Sequence, residues 1–154
     1  MGTVTQWAAD SEITVRDFVI EDYPAVQRLW TGAGLQFRPL GRDRPDRVAA
    51  EVAKETAVFL VAEAGGELAG VVFGTHDGRR GWINRLAVAP AFRRHGIARR
   101  LVREVETRLE ALGLEITSAL VESDNQASLR FFVAMGYVHG RDIEYFSKRR
   151  SADS

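Results

Sequence analysis

A chain of 154 residues carries 21 basic and 21 acidic side chains, has a formal charge of zero and is 45% hydrophobic. That length suits one domain with a substantial core, and the balanced charge argues against a polyanion binder, which needs an excess of Lys and Arg. The absence of cysteine excludes disulfides, thiolate metal sites and a cysteine nucleophile, and His76, His95 and His139 are too scattered to share a zinc ion.

No apolar run reaches the roughly eighteen residues of a membrane span, and Met1–Asp10 has neither the basic nor the apolar stretch of a secretory signal. The expectation is one cytoplasmic domain over residues 1–154, with loose ends at 1–11 and 149–154. Ile13–Val19 alternates like a strand. Glu21 and Asp22 open a helix that Pro24 tolerates and Gly32 stops. Leu35–Asp46, with two prolines and several arginines, reads as a loop before a second helix at Arg47–Glu55. Ala57–Ala64 and Leu68–Thr75 flank a Gly65-Gly66 turn and are apolar at nearly every position, which predicts a hairpin covered on both faces. A turn at Asp77–Gly81 delivers the chain to a fourth strand, Trp82–Ala89.

Pro90 ends that strand, and beyond Gly96 the apolar residues Ile97, Leu101, Val102, Val105, Leu109 and Leu112 recur at helical spacing. A glycine-containing loop feeding a helix start is a prepared anion site, because unpaired N–H groups and the positive end of the helix dipole meet there. Arg93 and Arg94 stand at its mouth. Gly113 stops the helix and Glu115–Glu122 is a fifth strand. A right-handed crossover makes strands four and five parallel neighbours. Ser123-Asp124-Asn125 cap a helix over Gln126–Met135, and Tyr137–His139 with Asp142–Ser147 would close the sheet as a hairpin.

Leu86-Ala87-Val88-x-Pro90 followed by Arg93-x-x-Gly96-x-Ala98 resembles the pyrophosphate loop of the GNAT N-acetyltransferases. Asn125, with Phe131-Phe132 and Gly136-Tyr137 behind it, resembles that family's second signature. The resemblance implies a single-domain α/β fold with a mixed sheet of about seven strands, mostly antiparallel, strands four and five parallel and splayed, and about four helices on the two faces. It implies acetyl-CoA as co-substrate, with the Arg93, Arg94, His95, Gly96, Ile97 and Ala98 loop on the pyrophosphate. The backbone of Leu86, Ala87 and Val88 would hold the pantetheine arm, with Asn125 and Phe132 on the opposite side. Asn125 also serves as a plain helix cap. Phe37, Arg38, Arg42 and Arg44 lie where the resemblance puts the acceptor pocket, unless those arginines merely solvate a loop.

Acetyl transfer to an amine needs a neutral amine, a polarised carbonyl and an exit for the thiolate. The Val88 N–H is the best-placed carbonyl donor. Members of the family commonly carry a glutamate where this chain has Trp82 and a tyrosine where it has Phe132, and neither aromatic exchanges a proton. Glu122 is the first choice for the base, through a water held by Asn84, and Asp77 the second; Tyr137 is a candidate acid. The expected activity is transfer to a small-molecule or peptide primary amine by direct attack in a ternary complex, by a monomer or homodimer without metal, membrane or nucleic acid. A non-catalytic acyl-CoA-binding module is the first rival, and a nucleic-acid binder using the Arg93–Arg103 basic run the second.

Overall fold

The computed structural model describes residues 12–154. They form β1 (Ile13–Asp17), α1 (Tyr23–Gly32), α2 (Pro45–Val52), β2 (Ala57–Ala64), β3 (Glu67–His76), β4 (Gly81–Val88), α3 (Ile97–Ala111), β5 (Thr117–Ala119) and α4 (Gln126–Ala134). The strands make one sheet in chain order, antiparallel throughout except for the parallel β4–β5 pair. The expected leader at 1–11 lies outside the described residues. No helix of the described residues is long and apolar enough to cross a membrane.

The unbroken apolar runs of β2 and β3 follow from burial on both faces. Leu60, Ala62 and Val72 pack with Leu101, Val105 and Leu109 of α3, and Phe132 of α4 joins them. Phe59, Val61, Val71 and Phe73 point the other way, against Val26, Leu29 and Trp30 of α1 and Val48 of α2. On that side Phe59 and Phe73 stack at 3.8 Å, with Phe18 and Trp30 edge-on to Phe73.

Helix α3 buries Ile97, Leu101, Val102, Val105 and Leu109 and exposes Arg99, Arg100 and Arg103, with Arg108 half-buried. Each buried aliphatic chain contributes about 1.5–3 kcal/mol. The helix sits close to the sheet because Gly81 has no side chain: a Cβ there would fall 2.2 Å from Leu109 Cδ1. Arg100 Nη1 donates to the Ile13 carbonyl at 2.6 Å, and Arg108 pairs with Asp17. Part of the basic run thus ties α3 to β1.

Three expectations need correction. Among the described residues the sheet has five strands, not about seven, because Tyr137–His139 and Asp142–Ser147 pair with nothing as strands. β5 is three residues long, not the eight of Glu115–Glu122, and its chain leaves the sheet after Ala119. So short a strand offers no ladder for a further hairpin, and a hairpin alone is marginal in water. Helix α2 begins at Pro45 instead of Arg47, since proline is well suited to a first helical position.

Candidate active site

The site is built where β4 and β5 part. They pair only over Gly81–Ile83 and Thr117–Ala119, so the second half of β4 has no neighbour on its β5 side. Ala89 N–H donates to the Ala69 carbonyl at 2.8 Å, toward β3. Backbone polar groups alternate along a strand, so Ala87 also faces β3 while the N–H and C=O groups of Leu86 and Val88 open into the gap. Of the three backbone positions expected to meet a pantetheine arm, Leu86 and Val88 are the free ones.

At the end of that edge, Phe92 is 7% exposed and anchors a short 3-10 turn, Pro90–Phe92, in the core. Arg94 and Gly96 then adopt left-handed backbone, φ 67° and 75°. Glycine adopts this at little cost; for Arg94 it is local strain of the kind that collects at ligand loops. The first hydrogen bond of α3 runs from Arg100 N–H to the Gly96 carbonyl at 3.0 Å, which leaves the N–H groups of Ile97, Ala98 and Arg99 without intrahelical acceptors. Arg93, Arg94, His95 and Arg99 are exposed around them. The strand end, turn and helix start together form a cationic cradle for a phosphate-bearing ligand.

Asn125 caps α4, its Oδ1 accepting from Ser128 N–H at 3.1 Å. Phe132 is 8% exposed and lies edge-on to Phe131 and Tyr137, each at 5.1 Å, inside the α3-side core. The Tyr137 hydroxyl donates to Glu106 Oε2 on α3 at 2.9 Å. Burial, and then the Glu106 carboxylate, hold its proton well above the ordinary tyrosine range.

The carboxylates expected to act as base are placed differently from each other. Glu122 is exposed in the loop that leaves β5 and leads to Asn125, its carbonyl accepting from Asn125 N–H at 2.9 Å. Asp77 closes the β3–β4 turn, Oδ1 accepting from the N–H groups of Arg79 and Arg80, and these bonds, that of Arg80 foremost, lower its pKa. That carboxylate is a turn device. Asn84 is the extra residue of a β-bulge, with Ile83 opposite Gly74 and Arg85 opposite Phe73; its Nδ2 donates to Thr75 Oγ1 at 2.8 Å. Trp82 lies under the Arg80 guanidinium.

The bulge has a larger consequence. Gly81 and Ile83 face α3, but after the inserted residue Arg85 faces α1. Its side chain is 13% exposed, stacks over Trp30 and binds Asp43 Oδ2 at 2.8 Å. Asp43, only 6% exposed, also accepts from the Arg38 backbone N–H through the same oxygen, and its carbonyl accepts from Tyr23. Burial pushes the Tyr23 hydroxyl up to about 12. Phe37 meets the Trp30 ring and the Arg38 backbone meets Asp43, and through Asp43 they adjoin Arg85 of β4; Trp30, Asp43 and Arg85 carried no role in the sequence reading. A charged residue inside an apolar strand was the available signal.

A mixed sheet whose parallel strands part beside a cationic helix start suits a phosphate-bearing ligand. The sequence model of the acetyltransferase (GNAT) family matches residues 17–137, and the protein belongs to that family. Solved structures share the fold at low identity. The PaiA N-acetyltransferase of Thermoplasma acidophilum, solved with coenzyme A, aligns at TM-score 0.70 and 20% identity, over 80% of this chain and 88% of that one. The aminoglycoside acetyltransferase AAC(6')-Iy with a coenzyme A bisubstrate analogue gives 0.74 and 18%, over 90% and 99%. A ribosomal-protein alanine N-acetyltransferase of Escherichia coli gives 0.69 and 18%, over 81% and 77%.

Proposed function

We propose that the protein transfers an acetyl group from acetyl-CoA to a primary amine by direct attack in a ternary complex. The observation that carries this reading is the free edge of β4 at Leu86 and Val88 running straight into the left-handed Arg94–Gly96 turn and the start of α3. The Arg93–Ala98 loop, His95 and Ile97 included, receives the pyrophosphate. Leu86 and Val88 bind the pantetheine amides, with Asn125 across the gap.

The Val88 N–H stabilises the negative charge that develops on the thioester oxygen. The amine nitrogen attacks the carbonyl carbon, the carbon–sulfur bond breaks, and the amine proton passes through water to Glu122. A thiol has a pKa of about 8.5, so the thiolate departs without a positioned acid. Tyr137, whose proton is committed to Glu106, holds the end of α4 against α3. Phe132 supports the same junction from inside the core. The chain has no cysteine to carry an acyl group, which favours direct transfer.

Thiol release from acetyl-CoA against a broad amine panel, followed by initial rates with both substrates varied, tests the proposal. Intersecting plots are expected. Parallel plots, or an added acetyl mass on protein incubated without acceptor, would contradict it. Tight acetyl-CoA binding with no thiol release on any amine would favour the sensing module, to which Trp82 and Phe132 lend some support by replacing proton-exchanging residues.

A further inference from the structure

Among the described residues, three buried side-chain polar atoms lack a hydrogen-bond partner: Trp30 Nε1, Arg38 Nε and Arg85 Nη1. They come from one neighbourhood. The Arg85 guanidinium carbon is 4.4 Å from the Trp30 ring centroid, and Arg85 Nη2 and the Arg38 backbone N–H share Asp43 Oδ2. Phe37, next to Arg38, brings its ring to 6.3 Å from that of Trp30. Buried donors are ordinarily paired, so two orphans at the Arg85–Trp30 stack, with a third on the residue whose backbone is bonded to the same Asp43, call for an acceptor. Indole and guanidinium N–H groups only donate, so their partner must be a hydrogen-bond acceptor.

Charge points the same way. Arg42 Nε also approaches Asp43 Oδ2, at 3.7 Å, so two guanidinium groups and the Arg38 backbone N–H attend one carboxylate. A guanidinium with a free edge matches a second carboxylate in both charge and planar geometry. The place is also right. Arg85 lies three residues before Val88, about 10 Å along the strand, beneath the loop from Leu35 to Arg44. The orphaned atoms are closed to water as they stand, so a ligand enters by displacement of that loop.

We propose that the acetyl acceptor is an amine that carries a carboxylate, received by Arg85 Nη1, Arg38 Nε and Trp30 Nε1, with Asp43 fixing the loop over it. This rests on the acetyl-transfer reading above and narrows it. Polycationic amines are disfavoured, because their second ammonium would meet arginine.

Thiol release by the acetyl-CoA-saturated protein is compared for glycine, β-alanine and γ-aminobutyrate against their amides, with spermidine as the polycation. Loss of a hydrogen-bonded charge pair costs about ten- to a hundredfold, and that preference in kcat/KM for the best acid over its amide is expected. Arg38→Met should reduce the preference about tenfold and leave acetyl-CoA binding unchanged. Its bond to Asp43 is through the backbone, so the variant folds where Arg85→Gln risks stranding a buried Asp43. Equal use of acids and amides, or preference for spermidine, overturns the proposal. Should no amine turn over, calorimetry of the same pairs on the coenzyme-A-loaded protein decides: tighter acid binding supports the carboxylate site, and equal or absent binding overturns it. Failure of acetyl-CoA to bind would defeat the transfer reading instead, and the acid–amide comparison on the protein alone would still decide this one.

Discussion

Tyr137 donates its hydroxyl hydrogen to Glu106 across 2.9 Å and so ties the end of α4 to the middle of α3. Removing it with Tyr137→Phe should cost about 0.5–1.5 kcal/mol, or roughly 1–6 °C in Tm for a domain of this size. The folded state raises the pKa of this group, so its contribution is complete below the unfolded value near 10 and is lost as pH rises above it. Wild-type Tm should therefore fall more steeply above pH 10 than that of the variant. Turnover at pH 8 should stay within about threefold, because a positioned acid would contribute 10²-fold or more. A larger loss of kcat at unchanged fold would return Tyr137 to the chemistry.

Gly81 and Leu109 should show strong coupling. Gly81→Ala drives a Cβ into the buried Leu109 side chain, and overpacking of this kind costs about 1–3 kcal/mol. Leu109→Ala alone should cost about 2–5 kcal/mol for its cavity. In that background the added methyl has room, so the double variant should be less destabilised than the sum, measured by urea unfolding. Additivity within about 0.5 kcal/mol would mean that the contact is relieved elsewhere.

Glu122→Gln should lower kcat by about 10² to 10⁴-fold while acetyl-CoA affinity stays level, since a base acts on the amine. The exposed position of Glu122 means that stability should also hold. A wild-type rate across the pH range would move the base elsewhere. Asn84→Ala tests the water path separately: it frees Thr75 and should reduce kcat less than Glu122→Gln does.

The hairpin of β2 and β3, the amphipathic α3 after Gly96, and the parallel β4–β5 pair were legible because each rests on local periodicity or on a chain-length rule. The Asn125 cap was legible from residue type alone. What was not legible depends on a single irregularity. Strict alternation along β4 puts Arg85 on the face of Ile83, under α3; the bulge at Asn84 turns it to the α1 face and makes its partnership with Asp43 and Trp30 possible. Periodicity carries no sign of an inserted residue. The shortness of β5 and the unpaired 137–147 segment escaped for a related reason: a β-rich composition promises a strand only where a partner edge exists.

The central claim is that the β4 edge and the Arg94–Gly96 turn bind acetyl-CoA, and thermal unfolding with and without that ligand tests it most directly. At a hundred times its dissociation constant a ligand of the native state adds about 2.7 kcal/mol, which for this length is about 5–10 °C. Gly96→Asp places a carboxylate at the phosphate site on strained backbone. The wild-type protein should show a rise of that size and the folded Gly96→Asp variant none; no rise at millimolar acetyl-CoA, or the same rise in both, would contradict acetyl-CoA binding at this edge and turn.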